Sequence, residues 1–266
     1  MTDRLQSLLA HFGVSAHTAH AADESPGRLY LVRSGPVEVR HGRTVAAKIR
    51  EPSLVLYPRP LAHRLIADAA HGADFVSAGL DFDSGNANPI AASLPPFVCL
   101  PLSSLHGGEA VLGLLFAEAA AHYCGRQAML DRLFEVVMIQ VLRQLMESGQ
   151  TRVGMLAGLS HPQLRKAITA MHDEPGREWS LDELSRVSGM SRSVFANGFR
   201  DTVGVTPGNY LQGWRIGLAQ KALLAGRSLK HIAQDVGYGS EAALSRAFKA
   251  QSGRSPREWR NAQTSG

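Results

Sequence analysis

The sequence predicts an α+β chain: an antiparallel β-barrel or jelly roll with accompanying helices, then an all-α region of two helix-turn-helix units joined by a long helix. Three observations predict it. From Arg28 to about Phe82 the hydrophobic period is two, in short runs broken by Gly and Pro. Beyond about residue 160 the period becomes 3.6. Within that helical region a single pattern occurs twice, 48 to 49 positions apart, as duplicated supersecondary units do.

In chain order, residues 1–22 read as a short helix (MTDRLQSLLAHFG) and then a loop carrying His11, His17 and His20. Their spacing is irregular and no acid or Cys is interleaved, so they read as surface histidines rather than metal ligands. An acid near the start and no small-residue cleavage site argue for a helix over a signal peptide. The run LYLVRSGPVEVRHGRTVAAKIREPSLVLYPRPLAHRLIA reads as short strands interrupted at Ser34-Gly35-Pro36, His41-Gly42 and Pro58–Pro60. A strand pair is expected over Phe75–Phe82. Closely spaced short strands argue for an antiparallel barrel or jelly roll.

Gly125–Ser148 reads as one long amphipathic helix. Leu130, Phe134, Val137, Val141 and Leu145 form its stripe, and Leu133, Met138 and Leu142 widen it. So wide a face suits a subunit contact in a homodimer or packing within its own chain. TRVGMLAG reads as a linker, His161-Pro162 as the opening of a helix through Met171, and DEPGRE as a turn. The boundaries are then 1–150 for a first domain, 151–159 for a linker and 160–266 for a second domain.

In SLKHIAQDVGYGSEAALSRAFKAQSGRSPR, Leu229, Ile232, Ala233 and Val236 mark one helix face, Gly237 a stop and Ser240 an N-cap. Ala243, Leu244, Ala247 and Phe248 mark the next apolar face. The upstream copy places Leu181, Leu184 and Gly189 against Leu229, Ile232 and Gly237. It then places Ser191, Phe195, Phe199, Gly204, Pro207 and Tyr210 against Ser240, Leu244, Phe248, Gly253, Pro256 and Trp259. Ser180 and Glu183 form a capping box at its start. Between the copies, PGNYLQGWRIGLAQKALLAG reads as a connecting helix buried through Leu211, Trp214, Ile216, Leu218, Ala219 and Leu223. Its interior Gly217 costs about 1 kcal/mol relative to Ala and reads as a close packing point.

Charge follows the same division. Residues 151–266 hold 16 Lys and Arg against 9 Asp and Glu, whereas residues 1–150 hold 12 against 14. A basic C-terminal region fits phosphate neutralisation. No run of eighteen apolar residues occurs, so no transmembrane helix is expected. Two cysteines, Cys99 and Cys124, make no disulfide framework and fit a reducing cytoplasm. Cys99 sits in an apolar strand and reads as a packing thiol. Oxidation sensing by Cys99 or Cys124 is the alternative.

The segment from about Ser160 to Arg260 resembles the DNA-binding domain of the AraC/XylS family of transcription regulators. WSLDELSRVSGMSRSVFANGFRDTVGVTPGNYL and SLKHIAQDVGYGSEAALSRAFKAQSGRSPREWR carry the resemblance. It implies seven helices with two recognition helices in successive major grooves of promoter DNA, contact with RNA polymerase, and response to an effector. The N-terminal region resembles the cupin-type sensor domain of many such regulators, through PRPLAH, Asn88-Pro89 and LPPFVCLPL.

The outward positions expected to meet DNA are Arg192, Ser193, Ala196, Asn197 and Arg200, and Glu241, Ala242, Ser245, Arg246 and Lys249. Asn197 and Arg246 suit base edges; Arg200 and Lys249 suit phosphate. Tyr57, Arg59, His63 and Arg64 are the candidates for an anionic small-molecule effector, though a strand-end imidazole satisfied by backbone hydrogen bonds is the stronger reading of His63. Cupin enzymes hold metal with a His-x-His pair, which this chain lacks, so no cofactor or metal and no enzyme activity is expected. A metal-dependent cupin enzyme with accessory DNA binding and a non-specific nucleic-acid-binding protein are the alternatives.

Overall fold

The structure, a computed structural model, describes residues 5–18, 27–83, 88–149 and 153–264. Two compact units result. A sheet unit holds residues 14–86 and 94–150, and a helical unit holds 1–13, 87–93 and 151–266.

Among the described residues, the sheet unit has eight strands: β1 (Val14–His17), β2 (Gly27–Ser34), β3 (Val37–His41), β4 (Thr44–Ile49), β5 (Ser53–Tyr57), β6 (Arg64–Ala67), β7 (Asp74–Phe82) and β8 (Val98–Pro101). They form a five-stranded sheet, β1-β7-β2-β5-β8, and a three-stranded sheet, β4-β3-β6. Every pairing is antiparallel, as the short Gly- and Pro-marked turns demand. Val32, Val55 and Tyr57 from the larger sheet pack with Val37, Val39 and Ile49 from the smaller, making one barrel-like core. The turn at Gly35 has φ +87°, and a Cβ there would lie 2.3 Å from the Gly72 carbonyl oxygen, so only Gly fits.

The strand pair expected at Phe75–Phe82 is a single strand, β7, whose Gly79 stays extended because both flanks are occupied by β1 and β2. The loop expected after the first helix contains β1, where Ala16 is buried and His17 Nε2 meets Asp81 Oδ2 at 3.1 Å. His20 lies outside the described residues. An unexpected helix, α3 (Glu109–Ala120), precedes the long α4 (Arg126–Glu147), which buries the stripe from Leu130 to Leu145. Asp131 on α4 accepts from the Thr18 amide and hydroxyl at 2.8 and 3.0 Å.

The helical unit begins with α1 (Gln6–His11) and α2 (Pro89–Ser93), the latter capped by buried Asn88, whose Oδ1 accepts from Ile90 N at 2.8 Å. Then come α5 (Met155–Ser160), α6 (Leu164–Asp173), α7 (Leu181–Ser188), α8 (Arg192–Val203), α9 (Pro207–Leu224), α10 (Leu229–Asp235), α11 (Glu241–Ser252) and α12 (Pro256–Thr264). Much of the stretch that reads as a linker is therefore helix. Its apolar Met155, Leu156, Ala157 and Leu159 are buried, so composition favours core over tether. The helix expected from His161 begins at Leu164, after a turn in which His161 Nδ1 accepts from the Gln163 and Leu164 amides.

Close packing at α5 depends on Gly158. A Cβ there would stand 2.4 Å from Ile168 Cδ1 and 2.9 Å from Val203 Cγ2. Gly158→Ala is expected to cost about 1–3 kcal/mol by overpacking, despite its gain in helix propensity. A lowered urea midpoint with unchanged m-value checks it.

Candidate nucleic-acid interface

Each helix-turn-helix is built from its caps inward. Ser180 Oγ accepts from Glu183 N at 3.1 Å while Glu183 Oε2 accepts from Ser180 N at 3.0 Å, which fixes the start of α7. Donation to Glu183 Oε2 from the Ser180 amide, and from its hydroxyl at 2.8 Å, holds the Glu183 carboxyl below its ordinary range. Gly189 ends α7 at φ +66°, and Gly237 sits at φ +78° in the equivalent turn after α10. Ser240 Oγ accepts from Ala243 N at 3.1 Å to start α11, and Gly204 and Gly253 end α8 and α11 in left-handed conformations.

The duplication reaches the packing. Phe199 meets Tyr210 edge-on, with centroids 5.5 Å apart and planes at 75°; Phe248 meets Trp259 at 5.8 Å and 74°. These are pairs matched by the 49-residue offset. The second core joins Ile216, Ala219 and Leu223 of α9 to Ile232, Val236, Leu244 and Phe248. Helix α9 starts at a Thr206 cap and Pro207, and at ~1.5 Å per residue its 18 residues span about 27 Å. At Gly217 the Phe12 ring fills the space, its Cζ 3.0 Å from where a Cβ would stand, which explains the glycine inside a helix.

The lobes meet a second time beside α9. Arg215 donates from Nε to Pro175 O at 2.6 Å and from Nη2 to Arg177 O at 2.8 Å, and stands 5.8 Å from the Tyr238 ring centroid. The turn so held presents Gly176 to Gly237.

On α8, Phe195, Phe199 and Val203 are buried; Arg192, Ser193, Asn197 and Arg200 are exposed and Ala196 is half-buried. Arg192 Nη1 lies 3.5 Å from Asp182 Oδ1, and Arg200 Nη2 donates to Asn197 Oδ1 at 3.5 Å. Helical spacing makes Val194, Asn197 and Asp201 the outermost positions opposite the buried Phe195, Phe199 and Val203. Sequence reasoning misses exposed Val194 and Asp201, one because it is apolar and the other because an acid repels phosphate. The burial of one face is the signal that finds them. On α11, Leu244 and Phe248 are buried; Glu241, Ala242, Arg246 and Lys249 are exposed and Ser245 is half-buried. Arg246 stands diametrically opposite the buried pair.

In the sheet unit, Tyr57, Arg59 and His63 line one cavity of about 360 Å³ together with Arg28 and Leu61. Arg64 does not line it; it is exposed on β6, paired in register with Arg40. His63 Nδ1 donates to Leu61 O at 2.6 Å, so Nε2 accepts from the Tyr30 hydroxyl at 2.9 Å. Tyr57 stacks on this imidazole at 3.8 Å and bonds His41 Nε2 at 2.9 Å. Burial lowers the His63 pKa, and its bond to Leu61 O partly opposes this. Burial raises the Cys99 thiol on β8, while Cys124 is exposed. Among the described residues no three His, Cys, Asp or Glu side chains group as metal ligands, and no helix is long and apolar enough to cross a membrane.

Known proteins match both units. A family described as Cupin matches residues 4–147, and one described as Helix-turn-helix domain matches residues 184–262. A "Putative AraC-like transcription regulator" of Streptomyces antibioticus is 37% identical over 73% of this chain and 66% of its own length. AlkR, an HTH-type transcriptional regulator of Acinetobacter baylyi, is 33% identical over 71% of this chain and 63% of its length. RclR of Escherichia coli, an RCS-specific HTH-type transcriptional activator, is 29% identical over 91% of this chain and 87% of its length. The chain thus spans just under two thirds of the first of these relatives. A cupin domain ahead of a duplicated helix-turn-helix, with regulators as relatives, shows that the chain belongs to the AraC/XylS family of transcription regulators.

Proposed function

We propose that the chain is a sequence-specific, DNA-binding transcription regulator of the cytoplasm. Residues 1–150 act in sensing and dimerisation, and residues 160–266 read promoter DNA. The observation that carries this reading is the pair of equivalent helices, α8 and α11, each with a buried aromatic face and an exposed polar one, packed on a single connecting helix. A 27 Å connector suits contacts about one DNA turn, ~34 Å, apart. Asn197 and Arg246 are assigned to base edges, and Arg192, Arg200 and Lys249 to phosphates. Ser193, Ala196, Glu241, Ala242 and Ser245 complete the two surfaces. RNA polymerase is the further macromolecular partner, in keeping with the relatives' role.

The effector is assigned to the Tyr57–Arg59–His63 cavity, where a neutral imidazole, an aromatic face and guanidinium groups suit a small anionic molecule. Redox sensing through Cys99 finds less support, because burial favours its unreactive thiol form. Homodimerisation is assigned to the α3–α4 face, where Leu114, Met129 and Val136 are exposed.

Genome-wide mapping of bound sites, followed by affinity measurement, tests the reading. Asn197→Ala and Arg246→Ala are each expected to cost about 1–3 kcal/mol at the mapped site and much less on unrelated DNA. Equal weakening on all sequences would instead describe a non-specific binder.

A further inference from the structure

Among the described residues the smaller sheet, β4-β3-β6, has an open edge at each end, and the two are built differently. β4 carries Lys48, and its pairing with β3 slips between Val39 and Arg40. A bulge and a lysine are common devices that keep an edge from pairing with another chain. β6 has neither. Its pairing with β3 runs unbroken from Arg64 to Ala67, and Ile66 is 45% exposed. Arg64, Ala67 and Asp68 are exposed as well.

Which groups the β6 edge offers follows from one hydrogen bond. Asp68 N donates to Pro36 O at 3.1 Å, one step beyond the register pair Val37–Ala67. Antiparallel ladders alternate, so Arg64, Ile66 and Asp68 aim their backbone groups at β3, while Leu65 and Ala67 aim theirs outward. Side chains alternate too. Leu65 turns inward and packs against the cluster of Val37 and Val39, which puts Arg64, Ile66 and Asp68 on the outer face.

That face carries an unbalanced cation. Arg64 sits opposite Arg40 in register, and Arg40 is paired with Glu38. Arg64 itself has no hydrogen bond or ion pair among the described residues. Asp68 accepts from Ala70 N, His71 N and His71 Nδ1, all through Oδ1, which leaves Oδ2 for another donor. Four residues of strand, about 13 Å, keep Arg64 from reaching Asp68 within one chain.

We propose that β6 pairs antiparallel with β6 of a second copy, about a two-fold axis at Ile66. Only residues with outward backbone groups can bond, so Leu65 of each copy exchanges hydrogen bonds with Ala67 of the other. That register sets Ile66 beside its own copy as a non-hydrogen-bonded pair, where side chains come closest. It also sets Arg64 beside Asp68 of the second copy, on both sides of the axis. A slip of two residues keeps backbone bonding but loses the isoleucine contact and both ion pairs. A contact this small is weak by itself. It counts where copies are already held close, as on neighbouring sites of one duplex, which raises their effective concentration. That last step rests on the DNA-binding reading; the pairing does not, and it is separate from the α3–α4 face.

Cysteine crosslinking of the full chain reads the register directly. In a Cys124→Ser background, Ile66→Cys places two thiols on Cα atoms about 4.5 Å apart, within disulfide reach. Arg64→Cys, also exposed, places them on Cα atoms about 13 Å apart, beyond it. Mild oxidation with diamide is expected to link the Ile66→Cys chains about tenfold faster than the Arg64→Cys chains, or more. Equal rates, or no link at position 66, would overturn the pairing. Adding Arg64→Glu to Ile66→Cys sets like charges against Asp68 and is expected to slow linking about fivefold, whereas Arg64→Lys keeps it. Ala67→Pro removes an outward N–H that the single chain does not use, so it is expected to fold and to abolish linking. Linking unchanged by Ala67→Pro would mark random collision and overturn the proposal. A duplex with two mapped sites is expected to raise the rate further. An unchanged rate on bound DNA would overturn that role alone. Failure to bind DNA would overturn the DNA reading and leave linking off DNA standing.

Discussion

Gly237→Ala is expected to destabilise the helical unit by about 3 kcal/mol or more. Two costs combine. At φ +78° an alanine pays about 1–2 kcal/mol for the left-handed conformation. Its Cβ would also lie 2.4 Å from the Gly176 carbonyl oxygen and 2.9 Å from Gly176 C and Cα. Those are backbone atoms, so no rotamer change relieves the overlap, and the turn bearing Gly176 is itself pinned by Arg215. Either the turn moves away or α10 loses its stop, and both disturb the seam between lobes. Gly239→Ala is the control, since nothing lies within 4 Å of a Cβ there and its φ lies outside the strained range. It should stay within about 0.5 kcal/mol of the parent. Chemical denaturation of the two variants checks the contrast, and equal stabilities would show that the seam gives way freely.

The second large effect is a loss of stability on mild acidification, centred on His172. Burial lowers its pKa to about 3, with His11 acting in the same direction. In the unfolded chain an imidazole titrates near 6.5. The folded form therefore favours the neutral ring. Its stabilising contribution is complete above about pH 6.5 and declines as pH falls towards 3, because the unfolded state takes up the proton first. By pH 5 the loss should reach about 2 kcal/mol relative to pH 7.5. His11, lowered chiefly by its own burial and further by Lys221, adds to the same slope. His172→Gln retains a partner for the Tyr210 hydroxyl, which the imidazole Nε2 meets at 2.8 Å, and should remove most of the slope. Urea midpoints of both proteins at pH 7.5 and 5 measure it. Above pH 5 the depressed carboxylates Glu183 and Glu258 remain ionised and do not obscure the result. An identical slope in His172→Gln would assign the acid sensitivity elsewhere.

Local chemistry made much of the helical unit legible in advance. Ser180, Glu183, Gly189, Ser240 and Gly237 announce helix ends through hydrogen-bonding and φ preferences that depend on few neighbours. The 49-residue offset even anticipates the matched aromatic pairs. What stayed hidden depends on partners distant in sequence. Strand β1 exists because β7 offers an edge, and Val14–His17 alone has no strong strand pattern. Helix α5 looks like a tether because Gly154 and Gly158 suggest freedom, yet Gly158 is there to let Ile168 and Val203 approach. Of the candidate effector residues, Tyr57, Arg59 and His63 converge through the bend after β5, whereas the strand period turns Arg64 to the other side. On α8, the outermost positions became clear only once the burial of Phe195 and Phe199 fixed the helix rotation. The indole nitrogen of Trp214, buried with no hydrogen-bond partner among the described residues, has no sequence signature at all.

The packing of Phe12 against α9, edge-on to Trp214 at 4.8 Å, also bears on biosynthesis. These rings stand 202 positions apart. At ~5–20 residues per second, the segment bearing Phe12 is synthesised roughly 10–40 s before the tryptophan it packs against exists. During translation, Leu8 and Phe12 must wait without their final neighbours, open to chaperones or to capture by other nascent chains. A fragment synthesised from residue 151 onward would emerge with the opposite defect, an indole face lacking its lid.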